Sequence, residues 1–294
     1  MPKLSDVISL LEELYPPRWA ESWDAVGLVC GDPADEVRRV LFAVDPVQTV
    51  VEEAVEWGAD LLVTHHPLYL RGTSSVAATG FKGRVVHTLI RSGIALHVAH
   101  TNADHAAPGV SDALAEAIGL KVTDPLVADP TDPDGRRGSG RIGELLEPLT
   151  LTAFAARVAA GLPATATGVR VSGDPQQPIR RVAVCGGAGD SFLEAARAAG
   201  VDAYVTADLR HHPASEAAAT SPLALLDAAH WATEWPWLNL AARDLTAAAD
   251  RHGWPLETRV STRVTDPWTA HAPMPYDPAP LPSGPAPSTG PAAL

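Results

Sequence analysis

The sequence predicts an α/β protein made of two related lobes. Three observations carry this. Apolar, strand-like runs alternate with helix-like runs, the alternation occurs twice, and the two copies align without a gap. Such alternation implies right-handed βαβ units and a largely parallel sheet.

In the first half, Arg39–Val44 is a short apolar run. Thr49–Trp57 follows with helical spacing, Gly58 stands where a C-cap belongs, and Asp60–Thr64 is a second apolar run. In the second half, Arg181–Cys185 leads through glycines into Ser191–Ala199, Gly200 caps, and Asp202–Thr206 follows. A shift of 142 residues pairs Arg39 with Arg181, Glu52 with Glu194, Gly58 with Gly200, Asp60 with Asp202 and Thr64 with Thr206, among eight identities in 26 positions. Each copy then delivers His-His-Pro, as His65-His66-Pro67 and His211-His212-Pro213. A shift of 130 pairs Ala99-His100 with Ala229-His230 and Asp104 with Glu234. The pattern reads as an internal duplication.

Two stretches lack the means to build a core. Turn formers fill residues 128–140, which read as a linker between lobes at roughly 1–127 and 141–268. From 269 to 294 the chain is rich in proline, with eight prolines between Ala270 and Leu294, and it reads as an extended or disordered tail. The remaining 1–268 form one domain of two lobes.

The 294 residues are 46% hydrophobic, enough for a sizeable core. The 22 basic and 35 acidic residues give a net charge of -13, which argues against a nucleic-acid or anionic-membrane footprint over the whole surface. Cys30 and Cys185 are too few for a disulfide framework and fit a reducing compartment. The N-terminus lacks the basic and apolar regions of a signal peptide, and no apolar run reaches the ~18 residues of a membrane span. A cytoplasmic protein is expected.

The histidines carry the chemistry. His65 and His66 directly follow a predicted strand, and ligands of parallel α/β sheets gather beyond the C-terminal strand ends. Adjacent residues there point in different directions, which suits two metal ions better than one. After Ile94–Ala99 comes His100-Thr101-Asn102-Ala103-Asp104, and after Leu223–Ala229 comes His230-Trp231-Ala232-Thr233-Glu234. If each turns helical, the histidine and carboxylate share one face. Imidazole and carboxylate together suit zinc, iron or manganese, and a carboxylate can bridge two ions. A single copy reads better as a strand-end histidine with a helix-dipole carboxylate; two copies and a His-His pair favour metal. His97 and His105 read as bystanders. The glycines of Cys185-Gly186-Gly187-Ala188-Gly189-Asp190 read either as a tight turn or as backbone donors for an anion.

These motifs resemble the GTP cyclohydrolase I type 2 family, the Nif-three-like dinuclear-metal proteins. The resemblance rests on Trp23-Asp24-Ala25-Val26-Gly27-Leu28, Val63-Thr64-His65-His66-Pro67, His100-Thr101-Asn102-Ala103-Asp104, Gly186-Gly187-Ala188-Gly189, Thr206-Ala207-Asp208, Asp227-Ala228-Ala229-His230 with Glu234, and Thr265-Asp266-Pro267. It spans roughly residues 1–268. Ala25, Ala207 and Ala229 depart from the family's usual residues without removing a ligand. The resemblance implies two lobes facing each other across a dinuclear site, and a homohexamer. Its ligands for two divalent ions per chain would be His65, His66, Asp104, His230 and Glu234, with Glu234 bridging. His100 becomes the proton-transfer candidate. The implied activity is a metal-dependent hydrolysis, in its sharpest form GTP ring opening at C8 with formate release, on a nucleotide or another small molecule. A non-enzymatic metal-handling or scaffold ring is the alternative. Tyr69 and Trp231 are the aromatics near the ligands that could stack on a base.

Overall fold

The computed structural model describes residues 1–273. The first part of the chain runs α1 (Leu4–Leu14), β1 (Gly27–Cys30), β2 (Arg39–Ala43), α2 (Gln48–Trp57), β3 (Leu61–Thr64), α3 (Phe81–Arg91), β4 (Ala95–Val98), α4 (Thr101–His105) and α5 (Val110–Ala117). It continues through β5 (Lys121–Ala128), β6 (Gly138–Thr150), α6 (Leu151–Gly161), β7 (Arg170–Ser172), β8 (Pro178–Ala188), α7 (Leu193–Ala198), β9 (Ala203–Ala207), α8 (His211–Thr220), β10 (Ala224–Ala228), α9 (His230–Arg251) and β11 (Glu257–Val260). Most of the expected proline-rich tail lies outside the described residues.

The fold is mixed α/β with two sheets. One has the order β1-β4-β3-β2-β11, the other β5-β6-β8-β9-β10-β7. In the first, β11, β2, β3 and β4 run parallel and β1 pairs antiparallel to β4. In the second, only β8, β9 and β10 are parallel; β5, β6 and β7 add antiparallel pairs. The expectation of largely parallel sheets therefore holds for the βαβ units and not for the second sheet's edges.

Residues 128–140 do not pass from one lobe to the other. They join β5 to β6 as a hairpin inside the second sheet, so the chain passes from the first sheet to the second earlier, between β4 and β5. Conversely, β11 returns near the end of the chain to pair with β2 in the first sheet.

Strand alternation sorts the core into layers. Val40, Phe42, Leu61 and Val63 face an inner core that also holds Val182, Val184, Val205 and Leu226 of the second sheet. Leu4, Leu11, Val110, Leu114, Trp237 and Leu245, from α1, α5 and α9, fill that same core. The opposite faces are covered separately. Leu41, Ala43 and Leu62 pack with Val50 and Val51 of α2 and Val85 and Leu89 of α3. Ala183, Cys185, Tyr204 and Leu225 pack with Leu193 and Ala196 of α7.

The two βαβ units share their local contacts. Gly58 ends α2 in the left-handed conformation at φ 70°, and Gly200 follows α7 at φ 64°. The Asp60 carboxylate accepts the backbone N–H groups of Arg38 and Arg39, each at 2.8 Å, and Asp202 accepts those of Arg180 and Arg181, each at 2.8 Å. The Arg39 guanidinium donates to the Trp57 carbonyl, and that of Arg181 to the Ala199 carbonyl. Val40 pairs with Leu61 and Val182 with Ala203, again 142 residues apart.

Candidate metal centre

Three strand ends deliver the site. His65 and His66 continue β3 by two residues, their N–H groups bonded to the carbonyls of Ala43 (3.1 Å) and Val44 (2.9 Å). The Thr64 hydroxyl donates to the His66 carbonyl at 2.9 Å and fixes the turn. His100 is the N-cap residue of α4 after β4, with Asp104 inside that helix. His230 is the first residue of α9 after β10, and Glu234 lies one turn on. The five residues named as ligands and His100 thus come together from both sheets.

Each imidazole is held by its Nδ1. For His65 the partner is the Ala99 carbonyl at 3.0 Å, for His66 Asp45 Oδ1 at 2.7 Å, for His230 Asp208 Oδ2 at 2.7 Å, and for His100 Asp24 Oδ1 at 2.9 Å. A carbonyl or carboxylate accepts, so Nδ1 carries the hydrogen and Nε2 of the neutral ring carries the lone pair. Ring-orienting partners of this kind are the usual companions of metal-binding histidines. Asp24 is itself held by the Thr101 backbone N–H and hydroxyl. Burial pushes its carboxyl up, but His100 and Thr101 outweigh that and hold it below the ordinary carboxylate range.

The Nε2 atoms of His65, His66 and His230 converge on Glu234, which is 3% exposed. Its Oε1 lies 2.9 Å from His230 Nε2 and 3.4 Å from His65 Nε2, while Oε2 lies 3.1 Å from His66 Nε2. Glu234 Oε2 and His65 Nε2 are both buried with no hydrogen-bond partner. Burial pushes the Glu234 carboxyl up, but His66, His230 and His65 hold it well below its ordinary value. Burial pushes the His230 ring down, yet Glu234 and Asp208 bring it up to about 10. This negative potential draws protons onto the rings and equally favours a divalent cation. The residues fit a metal: lone pairs and a carboxylate face one another, short of hydrogen-bond donors.

Among the described residues, two groups of candidate ligand atoms result, each within 4.8 Å: His65, His66 and His100, and His66, His230 and Glu234. His100 is therefore within reach as a ligand. Asp104 is less central, with Oδ1 at 3.8 Å from His65 Nε2 and in neither group.

Gly187 lets this happen. It has φ 71°, and a Cβ there would lie 2.5 Å from Glu234 Oε1 and 3.2 Å from His230 Nε2. Gly187 thus admits the ligands, and the N–H groups of the three glycines in its run are not free for an anion. Those of Gly186, Gly187 and Gly189 bond to Ser111 Oγ, Thr233 Oγ1 and the Ala207 carbonyl.

Other histidines stay apart. His105 Nε2 meets Ser139 Oγ at 2.9 Å. His97 is buried, and neither of its ring nitrogens has a hydrogen-bond partner. His211 and His212 are exposed on α8. Of the orienting carboxylates, Asp24 and Asp208 stand in motifs that carry the resemblance but have no role assigned there, and Asp45 stands in none; its signal is its place just after β2. A cleft of about 670 Å³ opens beside the centre, with His66, His230, Trp231 and Asp266 in its walls. Tyr69 is not part of it; its ring lies under Lys82 Nζ.

A family model described as Duf34/NIF3 (NGG1p interacting factor 3) matches residues 2–267. A Streptomyces coelicolor protein named GTP cyclohydrolase 1 type 2 homolog is 68% identical over 92% of this chain and 95% of its own length. A Mycobacterium tuberculosis protein of the same name is 40% identical over 90% of this chain and 96% of its own. Among solved structures, a Bacillus cereus protein related to NIF3 superposes with TM-score 0.84 at 26% identity, covering 91% of this chain and 98% of that one. A Staphylococcus aureus hypothetical protein also gives TM-score 0.84, at 30% identity, over 92% of this chain and 100% of its own.

Proposed function

The chain belongs to the Duf34/NIF3 family, and on that premise we propose that it is a metal-dependent hydrolase with a dinuclear centre. The observation that carries the proposal is Glu234: its two carboxylate oxygens face different histidines, Oε1 toward His230 and His65 and Oε2 toward His66. That is the arrangement a carboxylate shared by two cations needs. His65, His66, Asp104, His230 and Glu234 would hold two ions of zinc, iron or manganese.

When bound, such ions lower the pKa of water and polarise an acceptor oxygen. The chain's own residues do the rest. Asp45 and Asp208 fix the rings of His66 and His230, so that both Nε2 atoms stay turned inward. Asp24 holds the His100 Nδ1 hydrogen, leaving His100 Nε2 to take up and return a proton near the reacting atoms. The specific reaction is GTP ring opening at C8 with loss of formate, which the relatives' name suggests.

The two lobes are read as copies of one ancestral unit facing each other across the centre. The repeated Asp60 and Asp202 contacts support that reading. The working form is a cytoplasmic homohexamer, by analogy within the family. No helix among the described residues is long and apolar enough to cross a membrane.

The test is to load the chain with zinc, iron(II) or manganese, add GTP, and follow formate and the ring-opened product. Formate production that falls in His100→Ala, with metal retained, supports the proposal. Absence of any hydrolysis in every metal form contradicts it and points to the scaffold role.

A further inference from the structure

The segment after β11 comes back to the metal centre. Ser261, just past that strand, is fixed three ways. Its N–H is bonded to the Phe42 carbonyl at 2.8 Å, its hydroxyl donates to Glu53 Oε2 at 2.6 Å, and its carbonyl accepts the Trp235 indole N–H at 2.9 Å. Thr262, Arg263 and Val264 are exposed. Thr265 then returns to the protein, and its hydroxyl donates to Asp45 Oδ2.

Asp45 is the partner of the His66 ring, through Oδ1 at 2.7 Å. His66 belongs to both groups of candidate ligand atoms, so its orientation bears on either ion. A carboxylate that accepts through one oxygen alone can rotate about its Cβ–Cγ bond. A donor on the second oxygen stops that rotation and keeps the first turned to the ring. The centre uses the same device at His100. Its Asp24 accepts from the ring through Oδ1, and from the Thr101 N–H (3.0 Å) and hydroxyl through Oδ2. There the threonine is the next residue along the chain. Thr265 lies 220 residues beyond Asp45, so its contact makes a distant segment part of the centre.

We propose that Thr265 is a positioning residue: its hydroxyl fixes the Asp45 carboxylate, Asp45 fixes the His66 ring, and the segment after β11 thereby sets how tightly the centre holds a divalent ion. The inference rests on reading the centre as a metal site. It also gives a task to the Thr265-Asp266-Pro267 motif, which supplies no metal ligand.

The experiment measures zinc affinity of the full chain by competition with a chromophoric chelator, with thermal melting of chelated samples to establish that each variant is folded. Thr265→Val keeps the branched shape and removes the hydroxyl. It should weaken zinc binding by about ten-fold, the low end of the loss expected when a ring-orienting carboxylate itself is removed. Thr265→Ser keeps the hydroxyl and should stay within about two-fold of the wild type. On an Asp45→Ala background, Thr265→Val should cost less than about two-fold, because the group through which it acts is gone. Wild-type affinity in Thr265→Val, a full loss in Thr265→Ser, or the same loss with and without Asp45 overturns the proposal. A wild-type chain that takes up no zinc overturns the metal reading as well, whereas zinc uptake indifferent to Thr265 overturns only this inference.

Discussion

The Nε2 atoms of His66 and His230 face each other across 3.2 Å, although each ring already gives its Nδ1 hydrogen to an aspartate. Two neutral rings in that state would set lone pair against lone pair. A proton or a metal ion between them relieves the repulsion, and Glu234 beside both supplies the negative charge that holds either. The contact joins the first sheet to the helix that follows the second, so the centre ties the two halves of the chain together.

Glu234→Ala should lower metal content by at least one ion per chain, because the carboxylate faces three of the histidines. His105→Ala should keep the wild-type content, since His105 is bonded to Ser139 away from the centre. Elemental analysis of both variants checks this; equal content would contradict the assignment.

Asp208→Asn and Asp45→Asn should leave the number of ions unchanged at saturating metal but weaken affinity by about 10- to 100-fold, the usual effect of removing a ring-orienting carboxylate. Competition with a chromophoric chelator reads this out. Unchanged affinity would mean that the aspartates only pack against the rings.

Gly187→Ala should harm the centre although it removes no ligand. Its backbone, at φ 71°, costs an L-residue about 1–2 kcal/mol, and the new methyl would press on Glu234 Oε1 from 2.5 Å. Lower thermal stability together with weaker metal binding is expected; a loss of stability alone would leave the close approach without a role.

Acid should destabilise the fold through His97. Burial lowers this ring from 6.5 to about 4, so the folded state keeps it neutral while the unfolded chain protonates it. Stability from this residue is complete above pH 6.5 and is lost as pH falls toward 4, by about 3 kcal/mol in all. In chelated protein, His97→Leu should flatten the decline between pH 6.5 and 4. An unchanged decline would place the acid sensitivity elsewhere.

Much of this was legible in the chain itself. The strand-helix-strand units announce themselves because both strands of each are buried and apolar and a glycine ends each helix. The His-x-x-x-carboxylate spacing survives folding because four residues make about one helical turn. What was not legible depends on contacts between distant segments. The antiparallel pairing of β5 with β6 is hidden because turn formers look alike in a hairpin and in a linker. The return of β11 to β2 depends on packing across α9. Asp45 and Asp208 are ordinary strand-end aspartates until His66 and His230 are brought against them. The second His-His-Pro lies elsewhere: His211 and His212, both exposed, open a helix rather than the turn that follows a strand, as His65 and His66 do after β3.

The most direct test of the dinuclear centre is anomalous X-ray diffraction from crystals of the zinc-loaded chain. Two ions per chain about 3.5–4 Å apart are expected, with Glu234 between them and His65 and His66 divided between the two. A single ion, or two ions that do not share Glu234, would contradict the account.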